Sequence, residues 1–171
     1  MSRARCTWNH EKAVNAQINT ALCAGHSYQA LWAHFARDDV ALPGIAAFFK
    51  KAAEEEREHA QQFMELQVAR GGRVALSDIR APEIDLRGGY DALPAVEAAR
   101  GLEKQVNQAL LDLHAGADDD PHLADFIEGN FLTEQVDAIQ ELAGYVAQLD
   151  RIGPDDGAGL LQWDHGLAEK D

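Results

Sequence analysis

Residues 45–66 read IAAFFKKAAEEEREHAQQFMEL. Within this stretch Ile45, Phe49, Ala52, Glu56, His59, Phe63 and Leu66 alternate steps of four and three, the spacing of one face of an α-helix. The stripe is apolar except at Glu56 and His59. A carboxylate and an imidazole are thus aimed at a core, where an ionisable group costs several kcal/mol unless something compensates it. A bound metal ion is the usual compensation, so the stretch predicts both a buried helix and a candidate metal site.

Working outward, three more long helical patterns flank this one. The first runs from about Asn9 to Phe35, with Val14, Ile18, Ala21, Gly25, Tyr28, Leu31 and Phe35 on its stripe, and Arg37-Asp38-Asp39 interrupts it. The second, already quoted, starts near Pro43 and stops at Gly71-Gly72. A linker of about eighteen residues follows, longer than most connections. It contains Pro82 and Gly88-Gly89, and its Val74-Ala75-Leu76 and Ile79 are apolar enough to pack along the bundle. The third helix begins between Asp91 and Pro94 and carries Val96, Ala99, Glu103, Val106, Leu110 and Leu113, ending at Asp118-Asp119-Asp120-Pro121. The fourth extends to about Ile152, with Ile127, Phe131, Gln135, Ala138, Leu142, Tyr145 and Leu149 inward, and Gly153-Pro154 stops it. Leu160-Leu161-Gln162-Trp163 suggests a brief fifth helix. One long connection among short ones predicts an all-α, four-helix bundle with one crossover, in a single domain spanning residues 1–171.

Composition sets limits. The chain has 171 residues, 46% of them hydrophobic, with 15 Lys plus Arg against 29 Asp plus Glu and a formal charge of −14. That balance disfavours nucleic acid or an anionic membrane as partner and suits a protein that attracts cations. Cys6 and Cys23 make no disulfide framework and are expected to be reduced thiols. The first residues lack an apolar signal segment and no run approaches bilayer length, so a cytoplasmic protein is expected.

Every inner stripe contains a polar residue at mid-helix: Tyr28, Glu56 with His59, Glu103, and Gln135. Converging at one depth, they would form a mostly oxygen site suited to iron or manganese rather than tetrahedral zinc. Glu56 would bridge two metals, with His59 completing one site and Glu103 the other, while Tyr28 and Gln135 orient water or ligand. A slip of face would turn Glu55 or Glu58 inward instead, and Glu134 in place of Gln135. Taken singly, each residue is more often a solvated or satisfied side chain; their coincidence favours the metal site.

At these residues the sequence resembles an animal ferritin subunit over nearly its whole length. The likeness rests on Gln17-Ile18-Asn19, Arg37-Asp38-Asp39-Val40-Ala41-Leu42, Glu55-Glu56-Arg57-Glu58-His59-Ala60, Arg70-Gly71-Gly72-Arg73 and Leu102-Glu103-Lys104-Gln105-Val106-Asn107-Gln108. It continues through Asp120-Pro121-His122-Leu123, Phe126-Ile127-Glu128 and Glu134-Gln135-Val136. The resemblance implies a hollow shell of twenty-four four-helix subunits, alone or mixed with other ferritin subunits. Heavy-type subunits of that family oxidise Fe(II) with dioxygen or peroxide at a di-iron ferroxidase centre, and an Fe(III) mineral core is stored inside. It assigns Glu56 as bridging carboxylate, His59 as imidazole ligand and Glu103 as second-site carboxylate, with Tyr28 and Gln135 nearby. Asp125 and Glu128, with His114 close by, match the acidic lining of a threefold iron channel, although acidic residues early in a helix also suit its positive end. Glu55 and Glu58 match cavity-facing residues that nucleate mineral.

The likeness breaks at Ala21, where heavy-type ferritins carry a glutamate seven residues before Tyr28. One iron position thereby loses a carboxylate, so ferroxidase activity is expected but reduced, because a two-metal reaction needs both positions filled. Light-type subunits lack counterparts of both Glu56 and His59, which this chain retains. Gly101 inside the third helix, and Trp163-Asp164-His165 with Gly166 in the tail, also depart from the family pattern. Two further readings stand beside the ferroxidase: a non-catalytic, mineral-nucleating cage subunit that co-assembles with active ones, and a helical scaffold without iron chemistry.

Overall fold

The computed structural model describes residues 8–82, 84 and 92–170. Cys6, Asp91 and the Gly88-Gly89 pair of the linker lie outside them. The described chain forms α1 (Glu11–Phe35), α2 (Pro43–Ala69), α3 (Ala92–Ala115), α4 (Pro121–Ile127), a π-helical turn (Glu128–Leu132), α5 (Thr133–Ile152) and α6 (Gly157–Ala168), with no strand among the described residues. α1 packs on α2 and α3 on α5, the two hairpins being joined by the long connection after α2. The architecture is the expected four-helix bundle with a short extra helix at its end.

The expected stripes of α1 and α3 are buried throughout, from Val14 to Phe35 and from Val96 to Leu113. On α2 the buried face is shifted slightly: Ala53 and Ala60 lie fully inside, while Ala52 and His59 sit at its edge. Gly25 permits the close approach of α1 and α2. A Cβ there would lie 3.3 Å from the Ala53 carbonyl and 3.4 Å from the Glu56 Cβ.

The fourth rod is not one uninterrupted α-helix, as the sequence suggested. Leu123, Ile127, Phe131 and Gln135 are all buried at steps of four. On a straight helix of 3.6 residues per turn, three such steps drift by about 120°. The wide π-helical turn at Glu128–Leu132 takes up part of that drift and brings Gln135 inward.

The linker is held differently from expectation. Only Val74 is half-buried; Leu76 and Ile79 are exposed. The strap lies along α1 through polar contacts instead. The Asn15 amide donates to the Arg73 carbonyl (2.9 Å) and accepts from the Ala75 N–H (3.1 Å), and Asn19 donates to the Asp78 carbonyl (3.3 Å).

The tail that sequence left in doubt forms α6. The N–H groups of Gly44 and Ile45, in the first turn of α2, donate to the Asp164 carboxylate at 3.1 and 2.8 Å. Leu42 offers no side-chain cap of its own, so α6 caps α2 from a distance. The approach is so close that a Cβ on Gly44 would fall 2.0 Å from the Asp164 carbonyl.

The core divides into two apolar halves. One contains Tyr28, Phe49, Ala53, Ala99 and Leu142, the other Ala24, Ala60, Val106 and Phe131. Along α2, α3 and the fourth rod the switch between halves falls at the polar residue: Glu56 between Ala53 and Ala60, Glu103 between Ala99 and Val106, Gln135 between Phe131 and Leu142. A polar layer therefore crosses the middle of the bundle.

Candidate metal centre

Glu56, Glu103 and Gln135 are 3%, 6% and 2% exposed, and Tyr28 is 1% exposed. The Tyr28 hydroxyl donates to Glu103 Oε1, and Gln135 Nε2 donates to Glu103 Oε2 at 2.9 Å and to the Glu103 carbonyl at 3.2 Å. Both carboxylate oxygens of Glu103 are thereby oriented, and each keeps a further lone pair for a metal. Burial, with the Glu103 carboxylate beside it, pushes the Tyr28 phenol well above its ordinary pKa and keeps it a donor.

Glu56 is in the opposite situation. Its Oε2 is buried without a hydrogen-bond partner, and the nearest imidazole nitrogen, His59 Nδ1, stands 3.8 Å away. Burial raises the Glu56 pKa; His59 opposes the shift and Glu103 adds to it. Burial alone would disfavour the charged form of His59, but the Glu56 and Glu134 carboxylates outweigh it and raise its pKa. His59 Nε2 lies 3.4 Å from Glu134 Oε2, so the ring spans two acids.

Glu56, His59, Glu103, Glu134 and Gln135 line a cleft of about 500 Å³ that also includes Glu55, Asp137 and Glu141. No lysine or arginine lines it among the described residues. Glu56 and Glu103 are removed from water with only the His59 imidazole beside them to offset several carboxylates, the arrangement expected of a cation site. The acids do not form a closed cage: no three His, Cys, Asp or Glu among the described residues converge tightly enough to hold an ion unaided. The donor set of carboxylate, imidazole and amide still suits a hard ion such as iron.

The remaining expected residues separate. Glu55 sits half-buried at the cleft wall, where burial raises its pKa, while Glu58 is exposed. Asp125 and Glu128 are exposed and do not line the cleft, with His114 Nε2 2.6 Å from Glu128 Oε1. Ala21 is buried among apolar neighbours and does not line the cleft. Sequence reasoning weighed Glu134 only as an alternative to Gln135, yet both contribute, Gln135 inside and Glu134 at the mouth. Glu141, seven residues after Glu134, escaped notice because it flanks the apolar stripe. That seven-residue spacing was its available signal.

A ferritin-like domain signature matches residues 11–152. The chain is 49% identical over 163 residues to the ferritin middle subunit of Aquarana catesbeiana, covering 93% of this chain and 92% of that protein. The chain belongs to the ferritin family. It is also 49% identical over 158 residues to the soma ferritin of Lymnaea stagnalis, covering 90% of each. With chloroplastic ferritin-1 of Nicotiana tabacum it shares 52% identity over 161 residues, 92% of this chain and 63% of that one. Membership supports iron storage as the work of this ferritin and iron as its cargo. No described helix is long and apolar enough to cross a membrane.

Proposed function

We propose that this ferritin takes Fe(II) into the mid-bundle cleft, oxidises it there with dioxygen, and stores the Fe(III) product as mineral. The observation that carries this reading is the buried, unpartnered Oε2 of Glu56 in a cleft of acids that no lysine or arginine lines. Glu56 is the carboxylate shared by two iron ions, His59 the imidazole ligand of one and Glu103 the carboxylate ligand of the other. Tyr28 and Gln135 hold Glu103 at both oxygens, so its orientation costs no reorganisation when iron arrives. Glu55, with Glu58, receives iron leaving for the mineral, and Asp125 and Glu128, near His114, line the iron inlet of a twenty-four-subunit cytoplasmic shell. That shell is built from this chain alone or mixed with other ferritin subunits.

At Ala21 a methyl group meets apolar neighbours where a carboxylate would otherwise point inward. The iron beside His59 is therefore held by fewer protein ligands, and paired oxidation is slower than with the glutamate present. The same substitution supports the second reading, a non-catalytic subunit that shapes the cage and nucleates mineral. Aerobic Fe(II) oxidation by the purified protein separates them. Oxidation faster than buffer, abolished by Glu103→Ala, supports the ferroxidase; a rate equal to buffer supports the structural subunit.

A further inference from the structure

A run of aromatic rings leads away from the centre. Between ring centres, Tyr28 lies 5.9 Å from Phe49, Phe49 5.4 Å from Phe48, Phe48 5.6 Å from Tyr145 and Tyr145 5.7 Å from Trp163. All four separations are those of aromatic pairs in contact. The run starts at the phenol bonded to Glu103, crosses α2 and α5, and ends on α6 at Trp163, which is only partly buried. Its outer members, Tyr145 and Trp163, are oxidisable side chains; the phenylalanines carry an electron only as a bridge. A buried tyrosine hydroxyl needs some partner, and here the partner is a base. The Tyr145 hydroxyl donates to Glu141 Oε1 at 2.5 Å. Glu141 is exposed, so a proton passed to it has a way out to water. A phenol gives up an electron readily only when its proton leaves with it, and this bond puts the acceptor within reach. The Trp163 N–H donates to Gln148 Oε1 at 2.7 Å, an amide that takes no proton.

Reducing dioxygen to peroxide takes two electrons, and each Fe(II) gives one. With Ala21 in place of a carboxylate, the iron beside His59 is the more weakly held, so a subunit carrying one iron falls an electron short. We propose that Tyr145 supplies that electron through the Phe48, Phe49 and Tyr28 rings, and that Trp163 then restores Tyr145. In the first step one Fe(II) becomes Fe(III), while Tyr145 loses an electron along the rings and its proton to Glu141. Dioxygen takes up the two electrons with two protons from water and leaves as hydrogen peroxide. The Tyr145 radical next takes an electron from Trp163 and its proton back from Glu141. The Trp163 radical cation takes an electron from a second Fe(II) outside the centre. In sum, two Fe(II), one dioxygen and two protons give two Fe(III) and one hydrogen peroxide, with every side chain restored. The inference rests on the reading of the cleft as an iron-oxidising site, and it gives α6 a part in that chemistry.

The test is rapid-freeze electron paramagnetic resonance of the full chain given one Fe(II) per subunit and mixed with dioxygen. Ring deuteration of tyrosine or of tryptophan identifies the radical. In the wild type a tryptophan radical should form, and added Fe(II) should quench it. Tyr145→Phe and Trp163→Phe each keep an aromatic ring, so packing changes little. Tyr145→Phe should remove the tryptophan signal and slow oxidation at one Fe(II) per subunit roughly fivefold. Trp163→Phe should leave a tyrosine radical in its place, longer-lived than any tyrosine signal of the wild type. Anaerobic Co(II) binding should match the wild type in both variants. Oxidation without a tryptophan radical, or a tryptophan radical that survives either substitution, overturns the relay alone. Wild-type oxidation no faster than buffer overturns the ferroxidase reading and the relay with it.

Discussion

Gln135 Nε2 donates to Glu103 Oε2 at 2.9 Å, a bond that ties α5 to α3 across the middle of the bundle. It joins two residues thirty-two positions apart and, together with the Tyr28 hydroxyl on Oε1, holds the Glu103 carboxylate at both oxygens between two apolar layers. The π-helical turn just before Thr133 makes it geometrically possible by turning Gln135 inward. Gln135→Leu removes the donor while keeping apolar volume. The expected outcome is a tenfold or so weaker binding of the second equivalent of Co(II), on the scale of a lost outer-sphere contact, with the first equivalent retained. Anaerobic calorimetric titration measures both.

The buried acids should make the metal-free protein less stable at neutral pH than the metal-loaded one. Burial raises the pKa of Glu56. A carboxyl whose folded pKa is raised contributes stability below its unfolded pKa and loses that contribution as pH rises through the folded value. Glu56→Gln is therefore expected to melt higher than wild type at pH 7 without metal, and to lose the metal-induced rise in Tm. At one hundred times Kd, Co(II) should add about 2.7 kcal/mol to wild type. That increment should shrink as pH falls toward 5, because protons compete for Glu56 and His59. Calorimetry with and without Co(II) at the two pH values checks each part.

Restoring the missing acid is the most direct probe of catalysis. Ala21→Glu places a carboxylate on α1 at a buried position one turn before Gly25, which packs against Glu56. Stopped-flow oxidation is expected to accelerate if Glu56, His59 and Glu103 form the remainder of a working centre. No acceleration in a folded variant that binds both metals would favour the structural subunit.

A distal clasp should control acid stability. Arg70 Nη1 donates to Asp120 Oδ1 at 3.0 Å and Nη2 to Oδ2 at 2.5 Å, while Asp120 Oδ1 also accepts the Leu123 N–H at 3.0 Å. Arg70 lies over the Trp8 ring, 4.5 Å from its centre. The guanidinium holds the Asp120 pKa below its ordinary value. Its contribution is thus complete above the unfolded carboxyl pKa and disappears as pH falls through the lower folded value. Asp120→Asn should flatten that part of the acid-unfolding curve while keeping a cap on α4. Asp120→Ala should cost about 1 kcal/mol more at neutral pH.

Gly101 offers a stabilising change. A Cβ there meets nothing within 4 Å, and the position lies inside α3. Gly101→Ala should add roughly 1 kcal/mol, or about 2–4 °C in Tm for a chain of this size, without altering metal binding.

Much of this arrangement was legible in the sequence because helix periodicity is a local signal. Val14 through Phe35 and Val96 through Leu113 announced their faces, and Glu56, Glu103 and Gln135 stood out as polar residues on them. What escaped depends on partners distant in sequence. Asp164 read as a flaw in an apolar tail, since its partners, the Gly44 and Ile45 N–H groups, are more than a hundred residues away. Leu76 and Ile79 suggested apolar packing, whereas Asn15 and Asn19 hold the strap through its backbone. The π-helical turn left only a faint trace, the run of four-residue steps from Leu123 to Gln135. Glu134 and Glu141 were missed as partners because partial exposure made them ordinary surface acids in a chain of charge −14.

All of the proposed chemistry requires Fe(II) to bind between α2 and α3 in the middle of the bundle. The decisive measurement is an anomalous-difference map at the iron edge from crystals soaked anaerobically in Fe(II). The account predicts a peak within coordination distance of Glu56 and His59, with a second, shared peak at Glu56 and Glu103. Iron found only on exposed acids such as Asp125 or Glu58, with the cleft empty, would contradict it.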